Sequence, residues 1–341
     1  MRPRFMQTGA ELRLLAGILA CLVSGVPSPA AAADPAEVLK ALHRQDEAIE
    51  RVGFRLAAAN ADLCPPGGDA GFSVHTIEQY GPAYRAAASN LFGLGEYPGV
   101  LTVAPGSAAE LAGLHEADAL LAIDRQSTPS APIPPAHSDF SRTAAVQGRV
   151  ATAENSAPMT LVVLRGGARI ELSLLPTPAC RSLFQVVPDA RLTGEADGDY
   201  VQVSSELAAL AVSDDELAAL LAHELAHNVL GHPARLDALH VDRGLLAFFG
   251  RNARLIRATE READRLSIYL LARAGYDPEK AIGFWARVRA AAPGSAGDPT
   301  HPPWAARLAL VKAEADHIEN AGVPAREVPL PPDLAAELPA R

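Results

Sequence analysis

The chain has 341 residues, 49% of them hydrophobic, with 30 Lys and Arg against 40 Asp and Glu. That length exceeds what one core usually organises, so two domains are expected. The formal net charge of −10 argues against a nucleic-acid partner, which would call for a basic surface.

The first residues read as belonging to neither domain. Arg2, Arg4 and Arg13 flank or precede an apolar run over 14–23, and Ser28-Pro29-Ala30-Ala31-Ala32-Ala33 offers small residues for cleavage before Asp34. Residues 1–33 therefore read as an export signal peptide, and the mature chain is expected in the bacterial periplasm. Cys21 offers the alternative of a lipoprotein anchor, but the apolar run continues past it and Leu19 is bulky for that motif. Cleavage would leave 27 Lys and Arg against 39 Asp and Glu, a net charge of −12. No later segment approaches the roughly 18 uninterrupted apolar residues of a membrane span. Cys64 and Cys180 would be the cysteines left, and an oxidising compartment favours their pairing as a disulfide.

From 34 to 62 a helix is expected, with Val38, Leu42, Ile49, Val52 and Leu56 forming an apolar stripe, and Pro65-Pro66-Gly67-Gly68 marks a boundary. Residues 34–71 thus read as an N-terminal helix and linker. Residues 72–180 carry β-type punctuation: a strand at Gly99-Val100-Leu101-Thr102-Val103, a Pro105-Gly106 turn, a strand over 119–123, and two strands around Gly166-Gly167. The order GVLTVAPGSAAELAGLHEADALLAID followed by TLVVLRGG resembles the PDZ family. It departs from that pattern at Ala117, where the family commonly has glycine, and in a Pro-rich insertion over 127–135. The resemblance implies a module that takes an extended peptide at a sheet edge, with loop amides receiving its terminal carboxylate. Leu91-Phe92-Gly93-Leu94-Gly95 is the expected amide loop, and 140–151 the flanking helix.

Residues 181–320 form the second expected domain. Tyr200, Val201, Gln202 and Val203 lie in an alternating stretch that reads as a strand. Ser213 with Glu216 three residues on reads as a capping box, and the following helix is apolar on every side, as in a core. Inside it lies His223-Glu224-Leu225-Ala226-His227. Two histidines at i and i+4 present their imidazoles on one helix face, close enough to grip one metal ion, and burying them with a glutamate would be costly without it. Glu224 falls beside that ion, where it can take a proton from water, which is the arrangement of a zinc peptidase.

Catalytic zinc takes three protein ligands, so one more is needed. Glu260 shares a helix face with Ala263, Asp264, Ser267 and Ile268, suited to close packing, and is the better choice; Glu262 falls on a more solvated face and can cap from Thr259. Asp264, one turn on, can accept the free imidazole N–H of a ligand histidine. A metzincin would place a third histidine at 233, which is Pro233, so His232 is expected to be only a polar residue at the helix end. The apolar patch Leu245-Leu246-Ala247-Phe248-Phe249 is expected in the core.

With HExxH followed by Glu260-Arg261-Glu262-Ala263-Asp264, and with THPPWAARL downstream, residues from about 185 to 315 resemble the zinc metallopeptidases related to the CAAX prenyl protease, whose pattern is HExxH…ExxxD. The resemblance implies that His223, His227 and Glu260 bind one Zn²⁺, and it brings His301, Pro302 and Arg307 near the active site. His301 or Arg307 is then the expected stabiliser of the tetrahedral oxyanion. Lacking spans, the chain is similar to the soluble periplasmic branch associated with envelope protein quality control. The expected fold is α+β: a mainly α-helical zincin-type metallopeptidase domain with a small β-sheet, preceded by a β-rich PDZ-like domain and followed by a Pro-rich tail over 321–341. The expected partners are polypeptide substrates, held by Tyr200, Val201, Gln202 and Val203 as a sheet edge, and a peptide ligand at the PDZ-like domain. The alternative is a non-proteolytic, zinc-stabilised adaptor or holdase, against which stands an intact Glu224.

Overall fold

The computed structural model describes residues 33–131, 136–156, 158–292 and 300–339. The stretch read as an export signal, Cys21 included, lies outside them apart from Ala33. Asp34 starts the first helix, α1 (Pro35–Ala59): its carboxylate accepts the Ala36 N–H at 3.0 Å, and Pro35 takes a position where no N–H is needed. Ile49, Val52 and Leu56 are buried along the expected stripe. They enter the same core as the HExxH helix, so α1 is part of the helical half and not a separate N-terminal piece. At Gly53 the Phe184 ring lies directly on the helix, and any side chain there would run into it.

The β-rich half is a six-stranded antiparallel sheet. Its strands are β2 (Phe72–His75), β3 (Gly99–Val103), β4 (Ala119–Ile123), β6 (Met159–Arg165) and β7 (Ala168–Leu174), in that order, with β5 (Gln126–Ser127) paired to β4. Helix α2 (Pro82–Phe92) follows β2, the short α3 (Ala108–Leu111) follows β3, and α4 (Ser141–Ala153) covers the sheet through Val146 and Val150, which join Phe72, Val74, Leu120 and Leu161 in a core of their own. Ala117 sits at φ +64°, a left-handed conformation that glycine adopts without strain. Where the PDZ pattern has glycine, this chain therefore carries a strained alanine.

The groove that an added strand would use lies between the edge strand β2 and α4, and the loop at its head is Asp69-Ala70-Gly71. Leu91 to Gly95, expected there, instead ends α2, with Gly93 as its left-handed cap. The head of the groove is also already occupied from within the chain. The Ala70 N–H donates to Glu154 at 2.9 Å and the Gly71 N–H to Asp69 at 2.7 Å. Arg181, Ser182, Leu183 and Phe184 wall the groove from the helical half, leaving a cavity of about 40 Å³, room for a few waters and not for a peptide. Just behind it, β1 (Gly68–Asp69) pairs with β8 (Thr177–Pro178), and Cys64 is disulfide-bonded to Cys180 across 116 residues. The chain thus leaves and re-enters the helical half through one stapled neck.

The helical half carries a three-stranded sheet of β9 (Leu183–Val187), β10 (Gly194–Ala196) and β11 (Tyr200–Ser204), in the order β10-β11-β9. β11 pairs parallel to β9 (Val201 with Phe184) and antiparallel to β10 (Glu195 with Gln202). Both its sides are taken, so Tyr200, Val201, Gln202 and Val203 cannot serve as the edge expected for substrate; the strand edge beside the HExxH helix is β10. After α5 (Ser205–Ala209) that helix is α6 (Asp214–Val229). Ser213 Oγ accepts the Glu216 N–H at 3.4 Å, as a capping box requires, but the Glu216 carboxylate accepts the Val212 N–H at 2.9 Å instead of closing the box.

Gly231, at φ +62°, turns the chain sharply into α7 (His232–Ala238). The next long helix, α8 (Gly250–Arg273), begins ten residues before Glu260, so Thr259 is inside it and bonds back to the Ile256 carbonyl. Three apolar residues just before α8 are not in the core: Leu246, Phe248 and Phe249 are 58%, 44% and 68% exposed, and only Ala247 of that patch is shown buried. Helices α9 (Glu279–Ala291) and α10 (Trp304–Glu319) complete the bundle. The C-terminal stretch packs on it through the buried Val328 and Leu334, the latter in α11 (Pro332–Ala335), and Asp333 pairs with Arg265 at 2.6 Å. Among the described residues no helix is long and apolar enough to cross a membrane.

Candidate metal centre

Helix α6 is buried along most of its length, so His223 and Glu224 sit where water cannot readily satisfy them. His223 and His227, one turn apart, face α8, where Glu260 stands opposite. His223 Nε2 is 3.4 Å from His227 Nε2 and 3.4 Å from Glu260 Oε2, and His227 Nε2 is 3.5 Å from Glu260 Oε1. Glu260 Oε2 is buried without a hydrogen-bond partner. These atoms offer lone pairs to a common point. Ligand atoms held at zinc distances around a tetrahedral ion stand roughly 3.3–3.4 Å apart. The spacing and the donor set, two imidazoles and a carboxylate, therefore fit a zinc ion.

Behind these atoms the opposite ring nitrogens are held as well. His223 Nδ1 lies 3.1 Å from Asp264 Oδ1, somewhat askew of a well-formed hydrogen bond. Asp264 in turn accepts from Arg307 Nε at 2.8 Å and Nη2 at 2.6 Å. Arg307 is buried between Trp285 and Trp304, its guanidinium 5.0 and 5.1 Å from the two ring centres. This corrects the expectation for Arg307. With its fork spent on Asp264, it positions the carboxylate that orients His223 and is not aimed at an oxyanion.

The charges respond to this crowding. Burial opposes the charged form of His223, yet Asp264 and Glu260 outweigh it and hold its pKa up at about 10. His227, with no carboxylate at its back, is pushed down to about 3 by burial. Glu260 is held well below the usual carboxylate range, chiefly by His227 and His223 acting against its burial. Glu224, on the same helix and buried, is pushed up to about 7 by desolvation.

Glu224 faces β10. A Cβ on Gly194 would collide with its carboxylate, so this glycine allows the edge strand to approach the acid. Sequence reasoning missed β10 because three residues, Gly194 to Ala196, show no alternation. It also missed what lies behind His227: His232 Nδ1 is 2.9 Å from His227 Nδ1, and Glu262 is 3.0 Å from His232 Nε2. The Gly231 turn, which aims α7 back at α6, was the available signal. His301 stands beside the triad, partly exposed, its Nε2 3.4 Å from Glu260 Oε2.

No curated protein matches the chain. The profile of Peptidase family M48 matches residues 181–253 and 244–315. The matched segment contains the HExxH helix, the opposing Glu260 and the Asp264–Arg307 support, and over residues 181–315 the chain matches peptidase family M48, the zinc metallopeptidases related to the CAAX prenyl protease.

Proposed function

We propose that this chain is a zinc-dependent endopeptidase that cleaves exported or misfolded polypeptides, with His223, His227 and Glu260 as ligands. The observation that carries the reading is the convergence of buried His223 and Glu260 and half-buried His227, their ligand atoms 3.4–3.5 Å apart, beside a buried glutamate. Zinc, when bound there, supplies the Lewis acid that polarises a peptide carbonyl and acidifies water. Glu224 takes the proton from the attacking water and passes it to the leaving amine. A substrate backbone is held as an added strand along the outer edge of β10, which Gly194 lets run close to Glu224. Such pairing reads backbone more than side chains, which suits unfolded substrates. His301, on the partly exposed side of the triad, takes the oxyanion role that Arg307 cannot.

Purified protein should digest casein, and a chelator should abolish the digestion. Glu224→Gln should lose about 10²- to 10⁴-fold in rate while keeping its zinc. Intact casein in the presence of fully zinc-loaded wild type would leave the non-proteolytic adaptor as the better account. His301→Ala should lower cleavage with zinc retained; a rise in basal cleavage would instead mark His301 as a resting-state occupant of the open zinc position.

A further inference from the structure

We infer that His232 is a positioning residue, fixing the tautomer in which His227 can bind metal. The inference rests on His227 being a ligand. A histidine that offers Nε2 to a cation must carry its proton on Nδ1, and a free imidazole can carry it on either nitrogen. The choice is made by whatever faces Nδ1. For His223 that group is Asp264, a carboxylate that can only accept. For His227 it is a second imidazole, His232, with the two Nδ1 atoms 2.9 Å apart and the rings nearly perpendicular.

One proton lies between those two atoms, and Glu262 decides which ring keeps it. Its carboxylate accepts from His232 Nε2 at 3.0 Å, so the His232 proton sits on Nε2 and its Nδ1 is left as a lone pair. His227 Nδ1–H then donates to that lone pair, and His227 Nε2 is free to face Glu260 and His223. Arg235, which pairs with the same Glu262 oxygen, balances the carboxylate charge, as Arg307 does for Asp264. His232 is 1% exposed, so no water competes for the arrangement. The two ligand histidines are therefore held by two parallel relays, each ending on an arginine.

The direct test is the ¹⁵N chemical shifts of His227 in the metal-free protein, which distinguish the two tautomers without any cleavage assay. Wild type should show His227 protonated on Nδ1; protonation on Nε2 would overturn the inference. Zinc affinity, measured by chelator competition, should fall about 10- to 100-fold in His232→Leu, which keeps the bulk of the ring but has no acceptor. It should recover most of that loss in His232→Asn, whose amide oxygen can take the place of Nδ1. Equal affinities in the Leu and Asn variants would reduce His232 to a packing residue and overturn the inference. Should His232→Leu fail to fold, the wild-type tautomer and the Asn variant still decide. Absence of zinc binding in wild type would sink the metal-centre reading first, and this role with it, whereas zinc binding with the wrong His227 tautomer would sink this role alone.

Discussion

The metal centre and the groove of the PDZ-like half are both places where buried polar groups crowd together, and they are finished differently. At the centre, an inner acceptor is left unmatched: Glu260 Oε2 has no hydrogen-bond partner, with His223 Nε2 3.4 Å from it and His227 Nε2 3.5 Å from Glu260 Oε1. The rear atoms are tied down by Asp264 and Arg307 on one side and by His232 and Glu262 on the other. In the groove the reverse holds. The Ala70 and Gly71 amides, which could greet a peptide carboxylate, already donate to Glu154 and Asp69. One region leaves a buried acceptor unmatched by the chain, and the other is closed by the chain itself. Resemblance to a binding module is therefore weaker evidence for a ligand than the balance of donors and acceptors at the site.

The stapled neck gives the largest effect with which to probe the self-completed region. Replacing both Cys64 and Cys180 by serine removes a cross-link over 116 residues beside the groove head, and should cost about 2–5 kcal/mol in denaturant unfolding. A loss below about 1 kcal/mol would mean that the two halves hold the neck shut without it.

A smaller effect should come from the groove carboxylates. Burial, with Asp69 next, pushes Glu154 up to about 8 from its ordinary 4.5; Asp69 is raised to about 6, again by burial, and Glu50 is raised well above its usual range. Arg181 acts the other way on Glu154. Because the folded chain holds these protons more tightly than the unfolded chain, it is relatively favoured at low pH. That advantage is lost as pH climbs from about 4 and the unfolded carboxyls ionise first, until Glu154 itself ionises near 8. Glu154→Gln keeps an acceptor for Ala70 N–H and removes the charge. It should stabilise by on the order of 1–2 kcal/mol at pH 8 and by little at pH 5, read from urea midpoints at the two pH values. Identical pH profiles for variant and wild type would show that the groove is wetter and its carboxylates more ordinary than the structure implies.

The metal centre was far more legible in the sequence than the groove, for a physical reason. His223, Glu224, His227, Glu260 and Asp264 sit on two long helices, where spacing alone puts residues on one face, and the structure brings these five together. What spacing within one element cannot show is contact between elements. His232 and Glu262 lie on α7 and α8, and their meeting depends on the turn at Gly231. The start of α8 was hidden for a related reason: Phe249 makes no side-chain cap, and Gly250 and Asn252 resemble a loop more than a helix start. In the β-rich half β3, β4, β6 and β7 could be read from turn punctuation, but the four-residue edge strand β2 could not. The groove head could not, because two loops contain glycine and only the edge position of β2 selects Asp69-Ala70-Gly71. β11 read correctly as a strand, but alternation says nothing about which strand of a sheet lies at its edge.

The most direct test of the account is zinc stoichiometry, measured by elemental analysis on protein purified without chelator, in wild type, Glu260→Ala and Glu262→Ala. The account predicts one zinc per chain in wild type, loss of zinc from Glu260→Ala, and retained zinc with weakened affinity in Glu262→Ala, since Glu262 acts only through His232. Full zinc in Glu260→Ala together with loss from Glu262→Ala would contradict it, moving the third ligand off the face of α8 that meets the HExxH helix.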